Sequence, residues 1–307
     1  MANDRTADTW PVNGPLRSER FSPERVLARR EPRGLYVPLH AVTELNRVRN
    51  RLRDSERTVV AQRRALAEQH EINGRLQQAI LQTAQPVSDV NGMRVAVRYL
   101  GADGPVQVGG DWHLLTPLPG GDLLLAVGDV AGHGLDAASA MVALRHAMTA
   151  FAVEGRGPSS ILTGLNALLC QQMAGTVATA VVARYRRQTR KLTWARAGHL
   201  PILLADQDGV GPLRQPPGPI LGAFADASYG HATTGLRGGD LLLMYTDGFV
   251  EGRGHSLDEG MHNLGEQVRG ALGEGAAAGD RPGALVGRLC RRNPDDDACA
   301  LAAEPLA

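Results

Sequence analysis

Apolar residues recur every seven positions through Leu45, Leu52, Val59, Leu66 and Ile80, with Asn73 in the slot between the last two. The companion positions Val48, Ser55, Gln62, Gln69 and Leu76 are half polar. Between Leu39 and Leu81 there is no proline, and Gly74 is the only glycine. This spacing predicts one long helix whose seam suits a modest coiled coil, with Asn73 setting register at a cost in stability. The plainer alternative is a single amphipathic helix lying on its own domain. Pro86 then ends the helix, because proline lacks the N–H and clashes with the preceding turn.

After Pro86 the pattern changes to strands and turns. Met93 to Leu100 alternates, and Asp122 to Val130 is an apolar run behind a Gly-Gly turn. Val177 to Tyr185, Leu192 to Ala197, Ile202 to Ala205, Leu241 to Tyr245 and Ala298 to Ala303 are also strand-like. Two helices are predicted between them. Asp136 to Phe151 gathers Ala137, Ala140, Met141, Leu144, Ala147 and Met148 on one face, and Ser159 to Met173 has Ser159 or Ser160 as a cap. A later helix, Leu257 to Leu272, is weakened by Gly260 and Gly265, and Gly273 to Gly283 reads as a loop. Strands without regular βα alternation predict an α+β layered domain. The expected division is 1–38, a disordered or partial upstream segment; 39–85, a helical coiled-coil linker; and 86–307, the main domain.

Composition narrows the picture. Of the 307 residues, 43% are hydrophobic but only 4% aromatic, so the core is built from Leu, Val, Ile and Ala. A net charge of +1 gives no electrostatic case for nucleic acid. Residues 1–85 carry net +5 and the remainder net −4, a weak bias toward cation binding in the C-terminal part. Cys170, Cys290 and Cys299 form no CxxC pair, which argues against a disulfide framework or a thiolate zinc site. No apolar run approaches the roughly 18–20 residues of a membrane span, and the N-terminus has no signal-like apolar core. The expectation is a cytoplasmic protein with no membrane partner.

Aspartates carry the chemistry. Asp111 follows Gly109-Gly110, Asp129 ends an apolar run before Gly132-His133-Gly134, Asp247 follows Leu241 to Tyr245 and Thr246, and Asp295-Asp296-Asp297 precedes the last strand. Carboxylates at strand ends beside glycine can converge on one point, and hard divalent cations such as Mg2+ or Mn2+ take oxygen ligands of this kind. Asp129 could bridge two cations, and the Val130 carbonyl could add a ligand. Two such ions supply an activated water and polarise a phosphate, so no side-chain nucleophile is required. Any one of these aspartates taken alone reads as an ordinary turn residue; the set in order does not. His133 reads as a turn residue, with a contact to the site or substrate as the alternative. His199 reads as structural, Trp112 as core, Asp240 as a turn residue, and Glu251 as a partner for Arg253.

The segments Val108-Gly-Gly-Asp-Trp112, Val127-Gly-Asp-Val-Ala-Gly-His-Gly134, Ala197-Gly-His199, Tyr245-Thr-Asp-Gly248 and Asp295-Asp-Asp297 together resemble the PPM/PP2C superfamily. Within it the chain is most similar to the bacterial SpoIIE/RsbU-type serine/threonine phosphatases, over about residues 76–304. The resemblance implies an α-β-β-α sandwich with two metal ions, Mn2+ or Mg2+, at one edge. It implies hydrolysis of phosphoserine or phosphothreonine in a protein, often a phosphorylated anti-sigma-factor antagonist. Asp111, Asp129, Asp247 and Asp296 match the metal-binding aspartates, acting through water held by the cations, and Val130 matches the carbonyl ligand. Where the family usually has Tyr-Asp after Gly-Gly-Asp-Trp, this chain has His113-Leu114, a change expected at the rim of the site. The triple aspartate leaves register open by one residue; Asp296 is preferred because Asp297-Ala-Cys continues as the family does. A homodimer through residues 39–81 is the expected assembly.

Two rival readings follow from the same residues. Gly128, Gly132 and Gly134 between a strand and a helix also fit a dinucleotide-binding turn. Lys191 is the only lysine, however, and Arg187 occupies the place where a Tyr-x-x-x-Lys pair would be completed. The other rival is a catalytically silent regulator that keeps the fold for binding. Turnover of p-nitrophenyl phosphate with Mn2+ separates the phosphatase from the silent regulator.

Overall fold

The computed structural model describes residues 38–81, 87–101, 109–252, 256–273, 280–290, 293 and 296–306. The segment 1–37, the helix stop at Pro86, the centre of the loop at 274–279, Arg253 and Asp295 lie outside the described residues. Internal contacts separate residues 1–61 from residues 62–307, and the division falls inside the first helix, α1 (Leu39–Leu81). Val42, Leu45, Val48, Leu52 and Val59 on this helix are all exposed in the single chain.

In the second unit, a six-stranded antiparallel sheet contains β1 (Val87–Val90), β2 (Met93–Leu100), β7 (Leu203–Asp206), β8 (Gly209–Pro212), β10 (Leu241–Tyr245) and β11 (Ala298–Pro305), in the order β1-β2-β11-β10-β7-β8. A five-stranded antiparallel sheet contains β3 (Asp111–Pro117), β4 (Leu123–Val130), β5 (Ala178–Arg186), β6 (Lys191–Ala197) and β9 (His231–Gly235), in that order. Helices α2 (Leu135–Val153) and α3 (Pro158–Gln172) cover the five-stranded sheet. Helices α4 (Leu257–Gly273) and α5 (Arg281–Arg288) cover the other. The result is an α-β-β-α sandwich.

Alternation along β4 shows how the layers are made. Leu124, Ala126 and Val130 pack under α2 and α3, while Leu123, Leu125 and Val127 face the second sheet. With both faces buried, the strand has no polar side to show, so it reads in sequence as one continuous apolar run. The same holds for β10 and β11: Leu242, Met244, Leu301 and Ala303 point between the sheets, and Leu241, Leu243, Ala300 and Ala302 point toward α4 and α5. On α2 the buried residues include Ala137, Ala140, Met141, Leu144 and Met148, the face its spacing predicts.

Three expectations are corrected. α3 begins at Pro158 with Gly157 before it and no side-chain cap, so Ser159 and Ser160 lie inside the first turn. Proline suits that first position because its missing N–H has no partner there in any case. α5 occupies part of the presumed loop, started by Asp280, whose carboxylate accepts the Gly283 N–H at 3.0 Å. The edge strands β1, β3, β8 and β9 have no counterpart among the expected elements. No described helix is long and apolar enough to cross a membrane.

Candidate metal centre

Strand pairing places the first acidic residues. On β3 and β4, Asp111 stands opposite Asp129, and Asp129 in turn stands opposite Thr179 on β5. These residues continue the row of side chains that faces the other sheet, one step beyond Val127 and Val181. Asp247 follows β10 after Thr246, at the start of a short 3-10 turn, Asp247–Phe249. One carboxylate oxygen from each of Asp111, Asp129 and Asp247 lies within 4.8 Å of the others. Asp111 is buried, while Asp129 and Asp247 keep partial exposure, so the cluster opens to solvent on one side.

The backbone comes unusually close here. A Cβ on Gly110 would sit 2.0 Å from the Val130 carbonyl oxygen and 2.7 Å from Asp129 Oδ1, so any side chain at position 110 displaces both. The Val130 N–H donates to the Gly110 carbonyl at 3.1 Å and fixes that approach. Thr246 orients Asp111. Its hydroxyl donates to Asp111 Oδ2 at 2.6 Å and accepts the Cys299 N–H at 2.8 Å, and the residue is fully buried. His199 ties the two sheets together behind the cluster. A carbonyl only accepts, so Nε2 carries the proton and donates to the Tyr245 carbonyl at 3.1 Å, leaving Nδ1 to accept from the Thr179 hydroxyl at 2.8 Å. Burial pulls this imidazole down to about 4, so it is neutral, as its structural role requires.

Electrostatics show how strongly these carboxylates crowd one another. Burial, followed by the Asp297 and Asp129 carboxylates, pushes Asp111 well above the usual range. Burial and then Asp247 raise Asp129 to about 7. Burial and then Asp296 raise Asp247 to about 6. Carboxylates packed this closely repel one another and favour protonation in the absence of cations; a divalent ion between them reverses that preference. An all-oxygen donor set fits Mg2+ or Mn2+.

Asp296 is half-buried beside this group but outside the three converging oxygens, and its Oδ1 accepts the Asp297 N–H at 3.0 Å. His133 is exposed in its turn. Trp112 is fully buried, as expected of a core residue. Asp240 closes a turn by accepting the Arg237 N–H at 2.7 Å. His113 is not at the rim. Paired opposite Val127, it points between the sheets, is 5% exposed, and has Nδ1 3.7 Å from Cys299 Sγ. Burial and the nearby Arg145 pull it down to about 4. Sequence reasoning passes over Thr246, Tyr99 and the inward placement of Asp297. The neighbouring Thr-Asp-Gly could have flagged Thr246, since a hydroxyl next to a ligand is well placed to hold another one; nothing in the sequence signals Tyr99.

The family model for Stage II sporulation protein E (SpoIIE) matches residues 119–305. Phosphoserine phosphatase RsbU of Bacillus subtilis (strain 168) is 28% identical over 189 residues, 60% of this chain and 53% of that protein. The chain thus spans about half the length of this curated relative. The crystal structure of the RsbU and RsbW domains of Rv1364c from Mycobacterium tuberculosis superposes with a TM-score of 0.62 at 27% identity, covering 72% of this chain and 62% of that one. The catalytic domain of the serine/threonine protein phosphatase PstP, in complex with two manganese ions, superposes with a TM-score of 0.52 at 13% identity, covering 70% and 99%. That likeness is one of fold. A family match running from before β4 to the end of β11, on a sandwich of this architecture, leads to one assignment: the chain belongs to the SpoIIE family, of the PP2C type related to RsbU.

Proposed function

We propose that this protein is a metal-dependent serine/threonine phosphoprotein phosphatase, with residues 86–307 as its catalytic domain. The convergence of Asp111, Asp129 and Asp247 within 4.8 Å carries the reading. These three, with Asp296 and the Val130 carbonyl, would hold two divalent cations, Mn2+ or Mg2+. When bound, such ions supply an activated water and stabilise the charge that builds on the phosphoryl oxygens.

The chain's own residues do the rest. Thr246 fixes one oxygen of Asp111, leaving the other free to ligate. The partial exposure of Asp129 and Asp247 leaves an approach for a phosphoseryl side chain from solvent. No side-chain nucleophile is called for: Cys299 is fully buried, packed beside His113, and burial pushes its thiol up. His133, exposed in the turn after Asp129, meets the incoming substrate in this reading, with a turn role as the alternative.

The substrate in this reading is a phosphorylated anti-sigma-factor antagonist, supported by the likeness to RsbU and to a chain that joins RsbU and RsbW domains. Helix α1 (Leu39–Leu81) serves as the linker in this reading, and its exposed stripe Leu45, Val48, Leu52 and Val59 pairs with a second copy as a coiled coil. The test is phosphate release from phosphoserine protein and from p-nitrophenyl phosphate by the full chain. Turnover that requires Mn2+ or Mg2+ and collapses in Asp129→Asn supports the reading. Absence of turnover with every divalent ion tried, with substrate protein still bound, establishes the silent regulator instead.

A further inference from the structure

The aspartate next to the proposed ligand Asp296 is turned the other way. Asp297 is 7% exposed, and its Oδ2 accepts two hydrogen bonds: from the Tyr99 hydroxyl at 2.7 Å and from the Asp111 N–H at 3.1 Å. A Cβ on Gly109 would fall 1.9 Å from Oδ2 and 2.1 Å from Oδ1. Both oxygens therefore lie flat against the Gly109–Asp111 backbone, in space that only glycine leaves open. On the other side, a Cβ on Gly248 would meet the Asp297 carbonyl oxygen at 2.2 Å. Asp297 sits between the chain that carries Asp111 on one sheet and the turn that carries Asp247 at the end of the other.

We propose that Asp296 and Asp297 divide the work at this centre: Asp297 is a positioning residue that, with Tyr99, locks the Asp111 backbone in place, and it is not itself a metal ligand. The proposal rests on the metal-dependent reading above and adds the assignment of neighbouring carboxylates to different tasks. The bonding supports it. The oxygen that accepts from Tyr99 also accepts from Asp111, and neither bond depends on a negative charge at position 297. An asparagine whose carbonyl oxygen occupies the Oδ2 position can accept both. A ligand to a divalent cation, by contrast, is needed for its charge.

Partners that orient a ligand typically account for about 10–100-fold in metal affinity or activity. The experiment measures Mn2+ affinity by titration calorimetry, together with kcat and KM on p-nitrophenyl phosphate, for the full chain and for Asp297→Ala, Asp297→Asn, Asp296→Asn and Tyr99→Phe. Asp297→Ala is expected to weaken Mn2+ binding by about 10–100-fold, with kcat falling more than KM changes. Asp297→Asn restores most of that loss, Asp296→Asn does not bind Mn2+ as wild type does, and Tyr99→Phe shows a smaller loss than Asp297→Ala. If Asp297→Ala fails to fold, the contrast between Asp297→Asn and Asp296→Asn still decides. Wild type that binds Mn2+ while Asp297→Asn loses it as fully as Asp296→Asn overturns the division of roles and makes Asp297 a ligand. Wild type that binds no divalent ion overturns the metal-dependent reading, and the division of roles with it.

Discussion

Asp111 and Asp129 stand directly opposite each other on β3 and β4, two carboxylates forming one cross-strand pair. Like charges in that position destabilise a sheet, and here Asp247 adds a third carboxylate within reach. A fold retains such a pair where protons or cations neutralise it.

This gives a pH dependence for the metal-free protein. Asp129 is raised from 3.8 to about 7 and Asp247 to about 6, each first by burial and then by a neighbouring carboxylate. Between those limits the folded chain holds protons that the unfolded chain has already released. Stability therefore falls as pH rises from about 4 to about 7 through these groups, and each tenfold difference in proton affinity between the folded and unfolded chain is worth about 1.4 kcal/mol. In EDTA, Asp129→Asn is expected to melt higher than wild type at pH 8, with the gain vanishing near pH 4. In Mn2+ the gap narrows, since wild type gains about 2.7 kcal/mol at a metal concentration one hundred times the dissociation constant while the variant gains little. Calorimetric melting at the two pH values checks both effects.

Thr246 is expected to matter to the reaction without touching substrate. Thr246→Val keeps the shape but removes the donor to Asp111 and the acceptor for the Cys299 N–H. The expected outcome is a loss of roughly 10–100-fold in Mn2+ affinity or kcat/KM and about 1–3 kcal/mol of stability from the stranded N–H. Thr246→Ser, which keeps the hydroxyl, should recover most of both in a side-by-side titration and melt.

His199→Ala removes the imidazole that links Thr179 on one sheet to the Tyr245 carbonyl on the other. Two lost hydrogen bonds and a small void correspond to roughly 2–4 kcal/mol. For a domain of this size that is a drop in Tm of about 4–16 °C. Because the ring is buried and neutral, p-nitrophenyl phosphate turnover below the new Tm should suffer far less than in the Thr246→Val variant.

Gly110→Ala places a methyl 2.0 Å from the Val130 carbonyl oxygen. Both are backbone positions pinned by the hydrogen bond between them, so the collision moves the turn that carries Asp111. The expected result is loss of detectable Mn2+ binding by calorimetry, with far-ultraviolet circular dichroism close to wild type because the sandwich cores lie elsewhere.

What the sequence revealed follows from how burial writes itself into residue choice. β4, β10 and β11 are covered on both faces, so they appear as unbroken apolar runs, and the aspartates at or just beyond their ends stand out against them. β8 and β9 sit at sheet edges, β8 exposed at both ends and β9 at alternate residues, and Gly209, Gly211 and His231 carry no strand signal. α5 packs against β2 and β11 through Leu285 and Val286 while carrying Pro282, Gly283 and Gly287, so tertiary packing outweighs a poor helix propensity. The motif register prefers Asp296 as the ligand but says nothing of what Asp297 does. What separates them is contact with Gly109 and Tyr99, nearly two hundred residues earlier in the chain, which only the assembled sheets bring near. His113 reads as a rim residue until the β3–β4 register sets it opposite Val127, facing inward.

The most direct measurement is anomalous diffraction from crystals of the full chain soaked in Mn2+. The account predicts strong manganese peaks at the end of the sandwich, bounded by Asp111, Asp129 and Asp247 and touching the Val130 carbonyl and Asp296. Crystals that take up manganese elsewhere, or leave those carboxylates without it at saturating concentration, would contradict it.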